Sequence, residues 1–391
     1  MTIVLKGTAW DHPRAFAGLH AVNPAISAAL GGARIEWDVH SLADFSAAPL
    51  SNTADHYDLV LFDHPYSGDA SRGLLLDLSR YLAPSVLDDL RSDTVGFGVD
   101  LFDYDGGVWG LPIDAACQVA AYRPDLCARA GMDEAYLRSA TLSDIVDRLR
   151  REKLKLAISF RGVGSFMCFL SYCHQLGAVP FAREGELVPR EIGVEVVQLM
   201  HRILDAAVPE VMDWISITCL EEMARRDDLA YCPTIFGFSP YSHDSYGTVD
   251  GRRPLNFTAP PLARIGARQS SIIGGAGIGV SAKTRHPELA AKAVELLMSR
   301  EMQREMALAS GQPGRRSTWV DPQVNAVSRG FFANTLSTIE QGYIRPRFPG
   351  WVPRQTRAGL VLAQHLRAGS REETTLDAVE AAVFGRLAPE P

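Results

Sequence analysis

Gly107-Val-Trp-Gly-Leu-Pro112 runs into Ile113-Asp-Ala-Ala-Cys-Gln-Val-Ala-Ala-Tyr122 and ends at Arg123-Pro124-Asp125. Glycine and proline mark the first six residues as a turn with a short strand, and the nearly unbroken apolar run after them has the length of one buried strand. One carboxylate, Asp114, interrupts that run two residues after Pro112. A carboxylate in such a run must be paired or face solvent, and a position in a cleft meets that requirement.

Upstream of this stretch, strands and helices alternate. Residues 2–5 read as a strand, 16–30 as a helix, 33–39 as a strand and 57–62 (YDLVLF) as a buried strand, followed by a helix ending near Leu82. Such alternation predicts βαβ units and a mostly parallel sheet, with loops gathered on the edge where open α/β sheets bind ligands. Downstream, helices are expected over 142–151, 166–176, 192–207 and 220–226, then a strand over 229–236 (LAYCPTIF). That block has its own strands and helices and reads as a second lobe. A strand over 272–280 (IIGGAGIGV) precedes helices over 287–297 and 301–309, and the irregular stretch RPRFPGW precedes helices over 355–366 and 372–384. No internal repeat and no low-complexity segment is present.

The chain has 391 residues, 39 Lys+Arg against 46 Asp+Glu for a formal net charge of −7, and 47% hydrophobic residues. This length suits two globular lobes, and the apolar fraction excludes a disordered or fibrous chain. The acidic balance argues against nucleic acid as a partner, since a phosphate-backbone binder carries a basic face. Six cysteines are scattered without a CxxC pair, so no zinc or redox spacing appears and no metal or cofactor is implied; most are expected as small core side chains. No stretch approaches the roughly 18 uninterrupted apolar residues of a spanning helix. The N-terminus runs straight into a strand-like segment with no charged n-region, apolar h-region or small-residue cleavage site. The expectation is a cytoplasmic protein if Met1 is the native start, or a periplasmic or extracellular one if a signal peptide was removed.

Four stretches, in this order, carry a family resemblance. Tyr57-Asp58-Leu-Val-Leu-Phe-Asp63 looks like a strand that ends at a cleft, and Trp109-Gly-Leu-Pro112 through Tyr122-Arg123-Pro124-Asp125-Leu126 looks like a first crossover into a second lobe. Ile273-Gly274-Gly275-Ala-Gly277-Ile-Gly-Val280-Ser281-Ala-Lys283, with His286-Pro287-Glu288 and Leu297-Met-Ser299 after it, is similar to the return strand and helix of the first lobe. Gly311-Gln-Pro313-Gly-Arg315-Arg316-Ser317 completes the series. Together they resemble the family 1 extracellular solute-binding proteins of ABC importers, which include sugar receptors. The resemblance implies an α/β two-lobed clamshell of the periplasmic binding protein type II fold, each lobe a mostly parallel sheet flanked by helices. It places the first lobe in 1–111 and 272–320, the second in 112–271, and a C-terminal helical segment in 321–391. It also implies a monomer that closes around a small polar ligand, a carbohydrate or small organic acid, and presents it to a membrane permease.

The expected ligand contacts follow from strand ends. Trp10-Asp11-His12-Pro13-Arg14 lies after the first strand, where the competing reading is a loop in which Asp11 caps the next helix. Asp63 and His64 end the third strand, with a capping turn as the alternative, and Asp114 sits in the crossover. Phe236, Ser239 and Tyr241 match the second-lobe strand end that meets ligand in the family, against core aromatics beside a turn. Gly274 and Gly275 offer backbone N–H groups or simply make a tight bend. Trp351 is a stacking platform or a cover over the lobe junction, and Arg345 and Arg347 are expected in solvent. Arg161-Gly-Val-Gly164 before a helix can offer free N–H groups to an anion, without the lysine or spacing of a nucleotide P-loop.

Two alternatives stand beside the receptor. One is a cytoplasmic small-molecule sensor. The other is an enzyme: thiaminase I resembles these binding proteins and uses a cleft cysteine, and here Cys117 lies in the crossover strand three residues from Asp114. Strand alternation puts those two side chains on opposite faces, which counts against the pair.

Overall fold

The computed structural model describes residues 2–42, 48–243, 245–246 and 251–385. Its strands, in chain order, are β1 (Val4–Trp10), β2 (Arg34–His40), β3 (Leu59–Asp63), β4 (Asp103–Tyr104), β5 (Gly107–Val108), β6 (Leu111–Pro112), β7 (Ala116–Tyr122), β8 (Lys155–Leu156), β9 (Leu229–Phe236), β10 (Asn256–Thr258), β11 (Ile273–Gly274) and β12 (Ala276–Val280). One sheet has the order β2-β1-β3-β12-β6; the other runs β10-β7-β9-β8, with β11 also on β7.

The expected mostly parallel pairing gives way to mixed sheets. β1 is parallel to β2 and β3, but β12 is antiparallel to β3 and β6. In the second sheet β7 is antiparallel to β9, β10 and β11, and β8–β9 is parallel. A parallel neighbour needs a crossover that carries the chain back to the start of the sheet. β12 has none: it arrives from the second sheet at the end of β3, where Ala276 pairs with Asp63, and must run the opposite way.

The chain passes between the sheets at residues 113–115 and again at Gly275. There the 272–280 run breaks into two strands, because Gly275 takes φ 106° and a Cβ on it would lie 2.5 Å from the Asp114 carbonyl oxygen. The two passages are held side by side by Asp114 N–H donating to Ala276 O at 3.0 Å. A third passage is the RPRFPG stretch. Tyr343 pairs with Ser271 and Ile273 beside the second sheet, after which Gly68 N–H of the first lobe donates to Arg347 O at 2.9 Å. Arg345 and Arg347 therefore do not lie in solvent: Arg345 is 4% exposed and Arg347 is half-buried, donating to the carbonyls of Asp100 and Asp103. The seam between lobes takes their apolar stems and supplies acceptors for their guanidinium groups.

The helices Pro13–Ala29, Pro287–Leu297 and Arg300–Leu308 belong to the first sheet's core. Helix Val163–Gln175 is buried in the second and is covered by the C-terminal helix Trp351–Arg367. The approach is close at Gly359, where a Cβ would meet Gly162 O at 2.5 Å, and Ser165 Oγ donates to Gly359 O at 2.9 Å. Helix Leu142–Arg151 begins at a capping box between Thr141 and Asp144, as its sequence suggests. Two expectations fail locally. β1 continues through Trp10, so that residue is strand rather than loop, and no continuous helix follows β3, only the short turns His64–Tyr66, Ser67–Ala70 and Leu78–Arg80. Among the described residues no helix is long and apolar enough to cross a membrane.

Candidate functional site

Where the crossing strands leave the first sheet, a cavity of about 190 Å³ lies between the lobes. Two buried ion pairs form its floor. Arg14, in the first turn of helix Pro13–Ala29, donates Nε and Nη2 to the two carboxylate oxygens of Asp114 at 2.8 and 2.6 Å, and Nη1 to Gly237 O of the second lobe at 2.9 Å. Its guanidinium also lies 4.6 Å from the Phe238 ring centroid. The second pair joins Asp63, the last residue of β3, to Arg345 of the third passage. Arg345 Nη2 is 3.0 Å from both oxygens, and its Nε donates to Ile273 O at 3.2 Å.

Electrostatics separate the two acids. Burial pushes the Asp63 carboxyl up, but Arg345 and His64 outweigh it and hold the group at about 2. Burial raises Asp114 despite the pull of Arg14. His64, fully buried behind Asp63, is pushed down to about 4 by burial and then by Arg345.

The opposite wall comes from the second lobe and the C-terminal segment. Along β7, Ala116 and Gln118 face the cavity and Cys117 does not, as strand alternation requires. Gln118 Oε1 accepts from Ser171 Oγ at 2.7 Å. Phe236 ends β9 and Phe238 follows it, so with Trp10 three aromatic faces meet the space. Ser159, Arg161 and Gly164 line it at the start of helix Val163–Gln175. Gly164 allows that approach, since a Cβ there would lie 2.5 Å from Ser159 O. Ser216 and Gln355 complete the polar lining.

Of the residues singled out in the sequence, Trp10, Arg14, Asp63, Asp114, Phe236, Gly274, Gly275 and Arg161 line this cavity. Gly164 lines it too, as does Arg345, which was expected in solvent; the other expected contacts do not, and each has another use. His12, rather than Asp11, caps the helix: its Nδ1 accepts Arg14 N–H at 3.1 Å, while Asp11 is exposed and its N–H donates to His40 O. The His12 ring packs against Phe238 and Tyr241 at centroid distances of 4.9 and 5.7 Å. His64 lies behind the ion pair. Ser239 ties the lobes beside the hinge, its N–H donating to Gln312 Oε1 at 2.7 Å and its Oγ to Ser310 O at 3.0 Å. Tyr241 is fully buried and donates to Glu221 at 3.2 Å. Trp351 is fully buried against Phe181 and Phe348, so it is core and not a stacking platform.

Sequence reasoning missed Gln118, Ser159, Ser216, Arg345 and Gln355 as lining residues. Gln118 had a signal, being the one amide in an otherwise apolar strand. Gln355 and Arg345 had none, since their helix and passage enter the site through tertiary packing alone. Cys117 is buried and its thiol is pushed up to about 12, by burial first, against weaker help from Ser271 and Arg14. Cys117 is not among the residues that line the cavity, and a thiol held protonated is a poor nucleophile. Among the described residues no group of three or more His, Cys, Asp or Glu side chains is placed to hold a metal ion.

No protein-family model matches the chain, and no curated protein matches it. Solved structures do. Maltose-bound MalE3 of T. maritima is 15% identical, with TM-score 0.80, over 99% of this chain and 100% of that one. An ABC transporter solute-binding protein of Agrobacterium radiobacter K84 in complex with ribitol is 19% identical, with TM-score 0.77, over 98% and 99%. The GacH receptor of Streptomyces glaucescens, solved unliganded and with acarbose, is 15% identical, with TM-score 0.80, over 98% of each chain. The chain therefore has the two-lobed α/β fold of these binding proteins along its whole length.

Proposed function

We propose that this protein is a solute-binding protein of the family 1 type, which captures a small polar ligand of carbohydrate character between its lobes and presents it to an ABC-type permease. The observation that carries this reading is the composition of the cavity at the crossing strands. Trp10, Phe236 and Phe238 offer flat faces to the CH surfaces of a sugar, and Gln118, Gln355, Ser216 and Arg161 stand between them as polar groups for its hydroxyls. Both lobes contribute, so closure about the 113–115 and Gly275 passages buries the ligand from two sides. On this reading the first lobe is 1–111 with 272–320, the second is 112–271, and 321–391 packs on them. The protein acts as a monomer outside the membrane and without chemistry of its own. The full-length likeness to structures holding maltose, ribitol and acarbose supports it.

Differential scanning fluorimetry against neutral sugars, polyols and their acid derivatives tests it. A true ligand at 100 times its dissociation constant stabilises the folded state by about 2.7 kcal/mol. The expected result is a rise in Tm with at least one such solute, dependent on its concentration. Absence of any shift across the whole panel overturns the proposal.

A further inference from the structure

The geometry points to a ligand that carries a carboxylate, a sugar acid rather than a neutral sugar; this rests on the receptor reading above. Five charged side chains line the cavity, and four of them are spent on each other. Asp114 is taken by Arg14 and Asp63 by Arg345, each pair at 3.0 Å or less. The fifth, Arg161, is exposed in the wall and forms no ion pair among the described residues. One positive charge is left over.

Two buried amides of the uncharged lining add donors to it. Gln118, 4% exposed, lines the cavity; its oxygen accepts from Ser171, and its amide nitrogen has no acceptor among the described residues. Gln355 is 3% exposed; its oxygen faces Arg345 Nη1 at 3.4 Å, and its nitrogen likewise has no acceptor. Beside Arg161, helix Val163–Gln175 opens at Gly162, φ 54°, with no side-chain cap on its first-turn N–H groups. That end carries the positive pole of the helix dipole. Every hydroxyl of a neutral sugar donates as well as accepts, whereas each of the two acids here already carries an arginine partner. A carboxylate only accepts, and a planar two-oxygen group matches a guanidinium fork. A phosphate ester carries about −1.5 to −2 charges, more than this single cation balances.

Isothermal titration of the full chain with D-glucose, D-glucuronate, D-gluconate, D-galactose, D-galacturonate and D-glucose 6-phosphate decides the matter. The expected result is that at least one sugar acid binds roughly tenfold or more tightly than its neutral parent, with a preference that shrinks as NaCl is raised. In Arg161→Gln, an exposed position whose unchanged melting curve verifies folding, the ratio of acid to neutral affinity falls toward one. Equal or tighter binding of the neutral sugar, preference for the phosphate ester, or an acid preference that survives Arg161→Gln overturns this inference and leaves the receptor reading standing. Binding of none of the six overturns this inference, and the receptor reading then stands or falls on the wider panel of sugars and polyols above.

Discussion

His12 accepts the N–H of Arg14 through Nδ1 and lies against Tyr241, so the imidazole must stay neutral to hold its place. Burial, then the nearby Arg14 charge, pushes it down to about 3. Between that value and about 6.5 the unfolded chain takes up a proton that the folded chain refuses, so stability falls as pH drops through the window, by up to roughly 5 kcal/mol for this residue. His64, held at about 4, acts in the same sense. Asp63, held at about 2, adds a loss only below its unfolded value near 3.8, because there the unfolded carboxylate protonates first. Stability should therefore be level above pH 6.5 and decline below it. His12→Asn keeps an N-cap acceptor and removes the titration. Urea midpoints measured from pH 7.5 to 4.5 should show a shallower slope in that variant, and an unchanged slope would mean that other groups carry the acid response. None of this was legible from the sequence, which offered Asp11 as the cap. An imidazole can take the role here because a pocket of aromatic rings keeps it uncharged.

At the scale of elements, legibility follows how local the determinants are. Strand Leu229–Phe236 and helices Leu142–Arg151 and Pro287–Leu297 fall where their sequences place them, since each carries its own pattern of apolar residues and its own end signals. The helix expected between β3 and Leu82 gives way to short turns, and helix Phe331–Glu340 lies where the sequence reading assigned no separate element. The first is shaped by contacts with the distant RPRFPG passage, and the second begins at Gly330 with two consecutive phenylalanines buried against the second lobe. The break at Gly275 is of the same kind, because the 272–280 run looks continuous until Asp114 comes to lie beside it. Gly275→Ala should lose roughly 1–3 kcal/mol of stability, from the positive φ together with the clash against Asp114 O. Gly73→Ala has φ 86° and open space around its Cβ, so it isolates the φ contribution. Equal losses in the two variants, measured by urea denaturation, would mean that contact with the crossing strand contributes nothing.

Over the whole molecule, three chain passages meet at the hinge, and the Asp63–Arg345 pair joins the end of β3 to the last of them. Removing the cation leaves a buried carboxylate uncompensated, a change that costs about 3–5 kcal/mol where it has been measured. Arg345→Ala should lower the unfolding midpoint by an amount of that order. Arg347→Ala, at a half-buried position bound only to carbonyl groups, should cost less. A loss for Arg345→Ala no larger than for Arg347→Ala would show that the pair does not hold the passages together.

The sequence by itself determined the α/β class, the two-lobed plan and the strand ends from which Trp10, Arg14, Asp63, Asp114 and Phe236 reach the cleft. Those features rest on local periodicity, on glycine and proline punctuation, and on the order of four motifs along the chain. Only the tertiary structure decided which polar groups meet the cavity and in what state. Arg345 and Gln355 arrive from more than 280 residues beyond β1's partners in the floor, as the Asp63–Arg345 separation of 282 shows. His12, Tyr241 and Trp351, polar or aromatic at promising places, turn instead into caps and core. The physical reason is that pairing and burial are set by what lies opposite, and what lies opposite is fixed by how the sheets and passages pack.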